Sequence, residues 1–108
     1  EGVGGIQLNP IQEDVQPNYA YFPIVINEEE FGVNRDEIFE KLRENNIFAR
    51  KYFYPLVSAF ECYQDSYNAM QTPTALKISK RVLTLPLYAD LAMENVDNIC
   101  NIILSMQK

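Results

Sequence analysis

Tyr19-Ala20-Tyr21-Phe22-Pro23-Ile24-Val25-Ile26 is a nearly unbroken run of aromatic and β-branched residues, the composition of a largely buried strand. Pro23 has no N–H to give to a ladder, so it belongs at an edge or a bulge. Glu28-Glu29-Glu30 closes the run, and three like charges in a row read as a solvated turn rather than a metal site. A helix then opens on agreeing signals. Asn34 is a good N-cap, Glu37 three residues on completes a capping box, and Val33 is placed to staple against Ile38. Ile38, Phe39 and Leu42 make its buried stripe, Glu37 and Lys41 pair at i,i+4 on the wet side, and Asn45-Asn46 ends it.

Outward from this strand and helix, residues 1–18 hold three of the four glycines and two of the six prolines. They read as a linker that turns extended, with the domain itself running over 19–108. Downstream, Ile47 through Phe53 predicts a second strand stopped by Pro55, and the polar and aromatic stretch to Gln71 predicts a long loop. Thr72 and Pro73 open a short helix that turns Ala75, Leu76 and Ile78 inward. Val82-Leu83-Thr84-Leu85 predicts a third strand, ended by Pro86. Val96, Ile99, Cys100 and Ile103 recur at helical spacing in a terminal helix whose start has only Ala92 as cap. The order β, α, β, loop, α, β, α specifies an α+β fold. It is a two-layer small domain with an about three-stranded, mainly antiparallel sheet and helices on one face.

Composition narrows the chemistry. At 108 residues the chain is one domain, burying roughly 65% of its unfolded surface. Nine basic against fifteen acidic side chains leave a net charge of −6, which opposes docking along a nucleic-acid backbone. With no His, the chain lacks the usual general base and the commonest metal ligand. Cys62 and Cys100 have no CxxC spacing and read as two free thiols, so no metal site is expected. No apolar run approaches the roughly 20 residues of a membrane span, and Glu1-Gly2-Val3-Gly4-Gly5 is no signal peptide. These features predict a cytoplasmic chain without a membrane partner. The opening without Met predicts a piece of a longer protein.

Three blocks then carry a likeness. Asn46-Ile47-Phe48-Ala49-Arg50-Lys51-Tyr52-Phe53-Tyr54-Pro55-Leu56 is the first, and Ile78-Ser79-Lys80-Arg81-Val82-Leu83-Thr84-Leu85-Pro86-Leu87-Tyr88 the second. The helix bearing Glu94, Val96 and Ile99 is the third. Together with Tyr21-Phe22-Pro23-Ile24, and over residues 19–104, the chain resembles the C-terminal domain of the DegT/DnrJ/EryC1/StrS family of sugar aminotransferases. The resemblance implies a fold-type-I enzyme whose large domain, outside this chain, binds pyridoxal 5'-phosphate and supplies the Schiff-base lysine. It implies amino transfer from glutamate to a nucleotide-linked keto sugar, a deoxythymidine-diphosphate 4-keto-6-deoxy sugar being a family substrate. It also implies a homodimeric full-length protein. None of Lys41, Lys51, Lys77, Lys80 or Lys108 is then the catalytic lysine. The chain alone is expected to be inactive, with no cofactor bound to it, and to expose an apolar or aromatic face where its large domain docks.

Arg50, Tyr52 and Tyr54 are the candidate substrate-binding residues. A nucleoside diphosphate calls for a planar cation and for phenols that offer both a stacking face and a hydroxyl. In a strand these three alternate onto one face, with Lys51 and Phe53 on the other. The competing reading makes Arg50 a surface charge and both tyrosines core aromatics. Tyr63, Tyr67 and Tyr88 read as packing residues, and Lys77, Lys80 and Arg81 as a wet helix face rather than a phosphate site. Two rivals to the enzyme reading are a stand-alone α+β module that binds a small regulatory ligand and a structural interaction domain built on the aromatics of 52–67. A long reading frame upstream of Glu1 discriminates against the first, and the multi-block likeness against the second.

Overall fold

The computed structural model describes residues 2–108. Its sheet has three strands, β1 (Ile6–Leu8), β2 (Phe22–Ile26) and β3 (Val82–Leu85), ordered β1-β2-β3 and antiparallel throughout. Ile24 stands opposite both Leu8 and Leu83, and Ile26 opposite Ile6. Because side chains alternate across a sheet, this register gathers Ile6, Leu8, Ile24, Ile26 and Leu83 on one face. Pro23 sits in the central strand, one residue beyond the last β1 pair, so its missing N–H breaks no ladder there. Opposite it, Thr84 turns its backbone groups outward to Arg50.

Four α-helices join the sheet: α1 (Glu28–Phe31), α2 (Arg35–Glu44), α3 (Pro73–Ser79) and α4 (Met93–Ser105). The capping box at α2 is complete. The Asn34 side chain accepts the Glu37 N–H at 2.9 Å, and the Glu37 carboxylate accepts the Asn34 N–H at 2.8 Å, an arrangement whose cap contributes about 1 kcal/mol. Ile38 and Leu42 on α2 meet Ile99 and Ile103 on α4 and Ile24, Ile26 and Leu83 on the sheet, with Phe31 and Val33 closing the end of the core. Phe31, Ile38, Leu42 and Leu83 have no solvent exposure. The result is a small α+β domain around one hydrophobic core.

The structure revises several local expectations. Glu28-Glu29-Glu30 is the body of α1 rather than a turn. Its three carboxylates occupy the first turn, where the helix dipole favours them, and Gly32 in the left-handed region ends it. The lead-in before residue 19 contributes β1. Residues 47–53 form no strand: Arg50 alone bridges to Thr84, through a pair of backbone bonds of 2.9 and 2.7 Å. The chain then folds back at once, the Tyr54 N–H bonding the Lys51 carbonyl at 2.7 Å. On α3 the buried side chain is Ser79, Leu76 is half-buried, and Ala75 and Ile78 are exposed. Cys100 is exposed beside the α4 stripe, and both cysteines are free thiols. On α2, Lys41 pairs with Glu44 rather than Glu37. No helix among the described residues is long and apolar enough to cross a membrane.

Candidate functional site

The tight turn Lys51–Tyr54 organises the candidate residues. In a four-residue turn closed by a bond from the last N–H to the first carbonyl, the end residues share a side and the middle two project. Lys51 and Tyr54 accordingly face α2, while Tyr52 and Phe53 stack on each other with centroids 4.8 Å apart and planes 13° from parallel. Tyr21, just before β2, meets both rings edge-on at 5.9 and 6.2 Å. The Arg50 guanidinium lies 5.6 Å from the centre of the Tyr52 ring. Arg50, Tyr52, Phe53 and Tyr21 thus form one cationic, aromatic ledge. Phe53 is 68% exposed and Tyr21 56%, so the stacking surface is open.

Tyr54 does not join that ledge. Its ring lies against the Arg35 guanidinium, 4.8 Å from centroid to Cζ. The strand alternation expected to align Arg50, Tyr52 and Tyr54 is absent because the backbone turns between them. Phe53 and Tyr21, which the sequence reading did not single out, complete the ledge instead. Their signal was the exposed aromatic flanking a cation, which sequence alone does not separate from core packing. Tyr63, Tyr67 and Tyr88, read as packing residues, lie at the surface.

Beneath the turn is a charged lattice. Arg35 is 3% exposed; its Nε donates to Asp36 Oδ1 at 2.8 Å, and its Nη1 donates to the carbonyls of Ser79 and Val82 at 3.0 and 3.1 Å. Lys51 Nζ reaches the same Asp36 oxygen at 2.7 Å and lies 4.6 Å from the Phe39 ring centre. The Lys51 hydrogen bond, aided by the charges of Lys51 and Arg35 and opposed by partial burial, holds the Asp36 carboxyl below its ordinary value of 3.8. A carboxyl whose folded value is depressed contributes stability that is present above its unfolded value and lost as pH falls through the folded one. Asp36→Asn therefore flattens the acid limb of a urea-unfolding stability profile below pH 3.8. With the carboxylate 62% exposed, the loss at pH 7 stays below about 1 kcal/mol. An acid limb identical to that of the unsubstituted chain would contradict this assignment.

A cleft of about 660 Å³ lies elsewhere, between α3 and the reverse face of the sheet, where Val25, Lys77, Ile78 and Arg81 line it. It contains none of Arg50, Tyr52 or Tyr54. Lys77 and Lys80 are exposed, and Arg81 hydrogen-bonds Asn27 Oδ1 at 3.3 Å, which fits a wet face.

The described residues do not fit a pyridoxal phosphate seat. Such a seat needs a desolvated lysine, an acid facing the pyridinium nitrogen and a phosphate cradle. Lys41 is ion-paired to Glu44, Lys51 is held by Asp36, and Lys77, Lys80 and Lys108 are exposed. What the described residues do build is a stacking ledge with a cation, able to receive a flat ring and an adjoining anionic group.

The chain matches the DegT/DnrJ/EryC1/StrS aminotransferase family over residues 1–104. It is 40% identical over 106 residues to the dTDP-4-amino-4,6-dideoxy-D-glucose transaminase of Escherichia coli, covering 96% of this chain and 28% of that protein. With the Shigella dysenteriae transaminase of the same name it shares 38% identity over 86 residues, 80% of this chain and 23% of the relative. Its fold superposes on the crystal structure of DesI, determined in the presence of its TDP-sugar product, with a TM-score of 0.86 at 21% identity, over 96% of this chain and 26% of DesI. The chain therefore spans about a quarter of the length of the proteins it matches. With its family match running over residues 1–104, the chain belongs to the DegT/DnrJ/EryC1/StrS aminotransferase family.

Proposed function

We propose that the chain is the C-terminal small domain, residues 19–108 with a lead-in over 1–18, of a pyridoxal-phosphate-dependent sugar aminotransferase. The full-length enzyme transfers an amino group from glutamate to a nucleotide-linked keto sugar in the cytoplasm, as a homodimer, on a route to a deoxysugar of a cell-surface polysaccharide. The observation that carries this reading is the 40% identity to a dTDP-aminosugar transaminase over a chain that spans only 28% of it. The larger domain holds the cofactor and the Schiff-base lysine, and this chain alone is inactive. Its contribution is a wall of the sugar-nucleotide site, with Arg50 toward the diphosphate and Tyr52 toward the base or sugar ring. Tyr54 serves that wall from behind. The exposed Tyr21, Phe22 and Phe53 suit a surface that the larger domain partly covers.

The test uses pyridoxal phosphate and borohydride trapping. This chain is expected to show no stoichiometric lysine labelling, whereas the full-length protein labels one lysine outside it. The full-length protein is further expected to release more than one equivalent of 2-oxoglutarate from glutamate only when a dTDP-linked 4-keto-6-deoxy sugar is supplied to take the amino group from the cofactor. Specific labelling of Lys77 or any other lysine within this chain would overturn the assignment.

A further inference from the structure

Arg35 is the one charged residue among the buried polar side chains of the described chain, and a buried charge is costly unless its partners repay it. Its partners lie on α2, α3, β3 and the turn Lys51–Tyr54. In the plane of the guanidinium, hydrogen bonds run to Ser79 at the end of α3, to Val82 at the start of β3 and to Asp36 on α2. Against its face lies Tyr54, the last residue of the turn. Asp36 passes the grip on to Lys51, the first residue of the same turn, at 2.7 Å. Both ends of Lys51–Tyr54 are thus anchored to one corner of α2, and the two projecting rings between them are left free to meet a ligand. A lysine at position 35 could not reproduce this, since an ammonium has neither a planar fork nor a stacking face.

We propose that Arg35 is a positioning residue for the substrate ledge. It holds Tyr54 with its face and the Ser79, Val82 and Asp36 oxygens with its edge, so that Arg50, Tyr52 and Phe53 meet a nucleoside-diphosphate sugar in one fixed orientation. Arg35 itself touches no substrate; it acts through Tyr54 and Lys51. The inference rests on the proposed substrate role of Arg50 and Tyr52. A role in stability alone predicts that Arg35 variants lower the melting temperature without altering recognition. A positioning role predicts a separable effect on binding, because the turn can loosen while the core stays folded.

The experiment is steady-state kinetics of the full-length protein with a dTDP-linked keto sugar, beside amide hydrogen exchange of residues 50–54. Arg35→Lys and Tyr54→Leu are each expected to raise KM about tenfold with kcat changed less than about twofold, the size of a lost cation–π contact in a partly desolvated site. Tyr54→Phe keeps the ring on Arg35 and is expected to retain the wild-type KM. Exchange at the Arg50 and Tyr54 amides, bonded to Thr84 and Lys51, is expected to quicken in the first two variants while Ile38 and Leu42 stay protected. Two results overturn the proposal: an Arg35→Lys protein with unchanged KM and exchange, or a Tyr54→Phe protein as impaired as Tyr54→Leu. Arg50→Ala separates the two levels. If it raises KM and Arg35→Lys does not, the positioning role alone fails. If Arg50→Ala also leaves KM unchanged, the substrate reading fails and the proposal falls with it.

Discussion

Phe31→Ala is expected to lower the unfolding free energy by about 3–5 kcal/mol, a large part of the stability available to a domain of this size. The ring has no solvent exposure and lies where α1 turns into the loop before α2. Its neighbours in the core are branched residues on the sheet, α2 and α4, each held by its own element, so the vacated space cannot collapse cheaply. Urea unfolding followed by far-ultraviolet circular dichroism measures the change. Phe53→Ala is the companion variant: with 68% of that residue exposed, it is expected to stay within about 0.5 kcal/mol. A loss below about 1 kcal/mol for Phe31→Ala would mean that the ring does not close the end of the core as the packing shows.

Gly5→Ala is the second large effect, and it acts through backbone rather than packing volume. Gly5 has φ +81°, and a Cβ there would stand 2.5 Å from both the backbone N and the Cβ of Phe31. Neither atom can swing aside as a side-chain tip could. The Gly5 carbonyl also accepts the Asn27 N–H at 2.7 Å, so moving Gly5 away from Phe31 breaks the bond that seats β1 beside the start of α1. The strain and the clash together cost about 2–4 kcal/mol. Gly4→Ala, one position earlier, is the control. Its added carbon meets only the Glu30 carboxylate, the end of a flexible side chain, at 3.0 Å, and it is expected to unfold within about 0.5 kcal/mol of the parent. Equal losses at the two glycines would remove the steric argument.

The elements legible in the sequence are those whose stability is local. The capping box at Asn34, Pro73 at the first position of α3, and the helical spacing of Val96, Ile99 and Ile103 state their structure within a few residues. The misread elements depend on distant partners. Ile6-Gln7-Leu8 is too short to declare itself, and it becomes a strand because Val25 and its neighbours offer a free edge. Ile47–Phe53 has strand composition, yet β3 accepts only Arg50 before the chain turns. At the site, the sequence marked Arg50, Tyr52 and Tyr54 through their side-chain chemistry and an expected strand alternation. Their division into a ledge and an anchor follows from the turn and from Arg35, whose role is set by carbonyls 44 and 47 residues away. A buried arginine at the first position of a helix looks, in one dimension, like an ordinary surface charge.

The last residues of the chain close a circuit with the first. The Lys108 N–H bonds the Phe31 carbonyl at 3.0 Å, and the Gln107 side chain bonds the Gly4 carbonyl at 3.4 Å across 103 positions of sequence. Contacts of that separation form late, after shorter loops have closed. On the ribosome, β1 and β2 can pair as soon as both have emerged, but Ile99 and Ile103 are still unsynthesised while Ile38 and Leu42 already wait for them. The nascent domain therefore carries an open apolar seam for most of its synthesis, and α4 is the piece that shuts it.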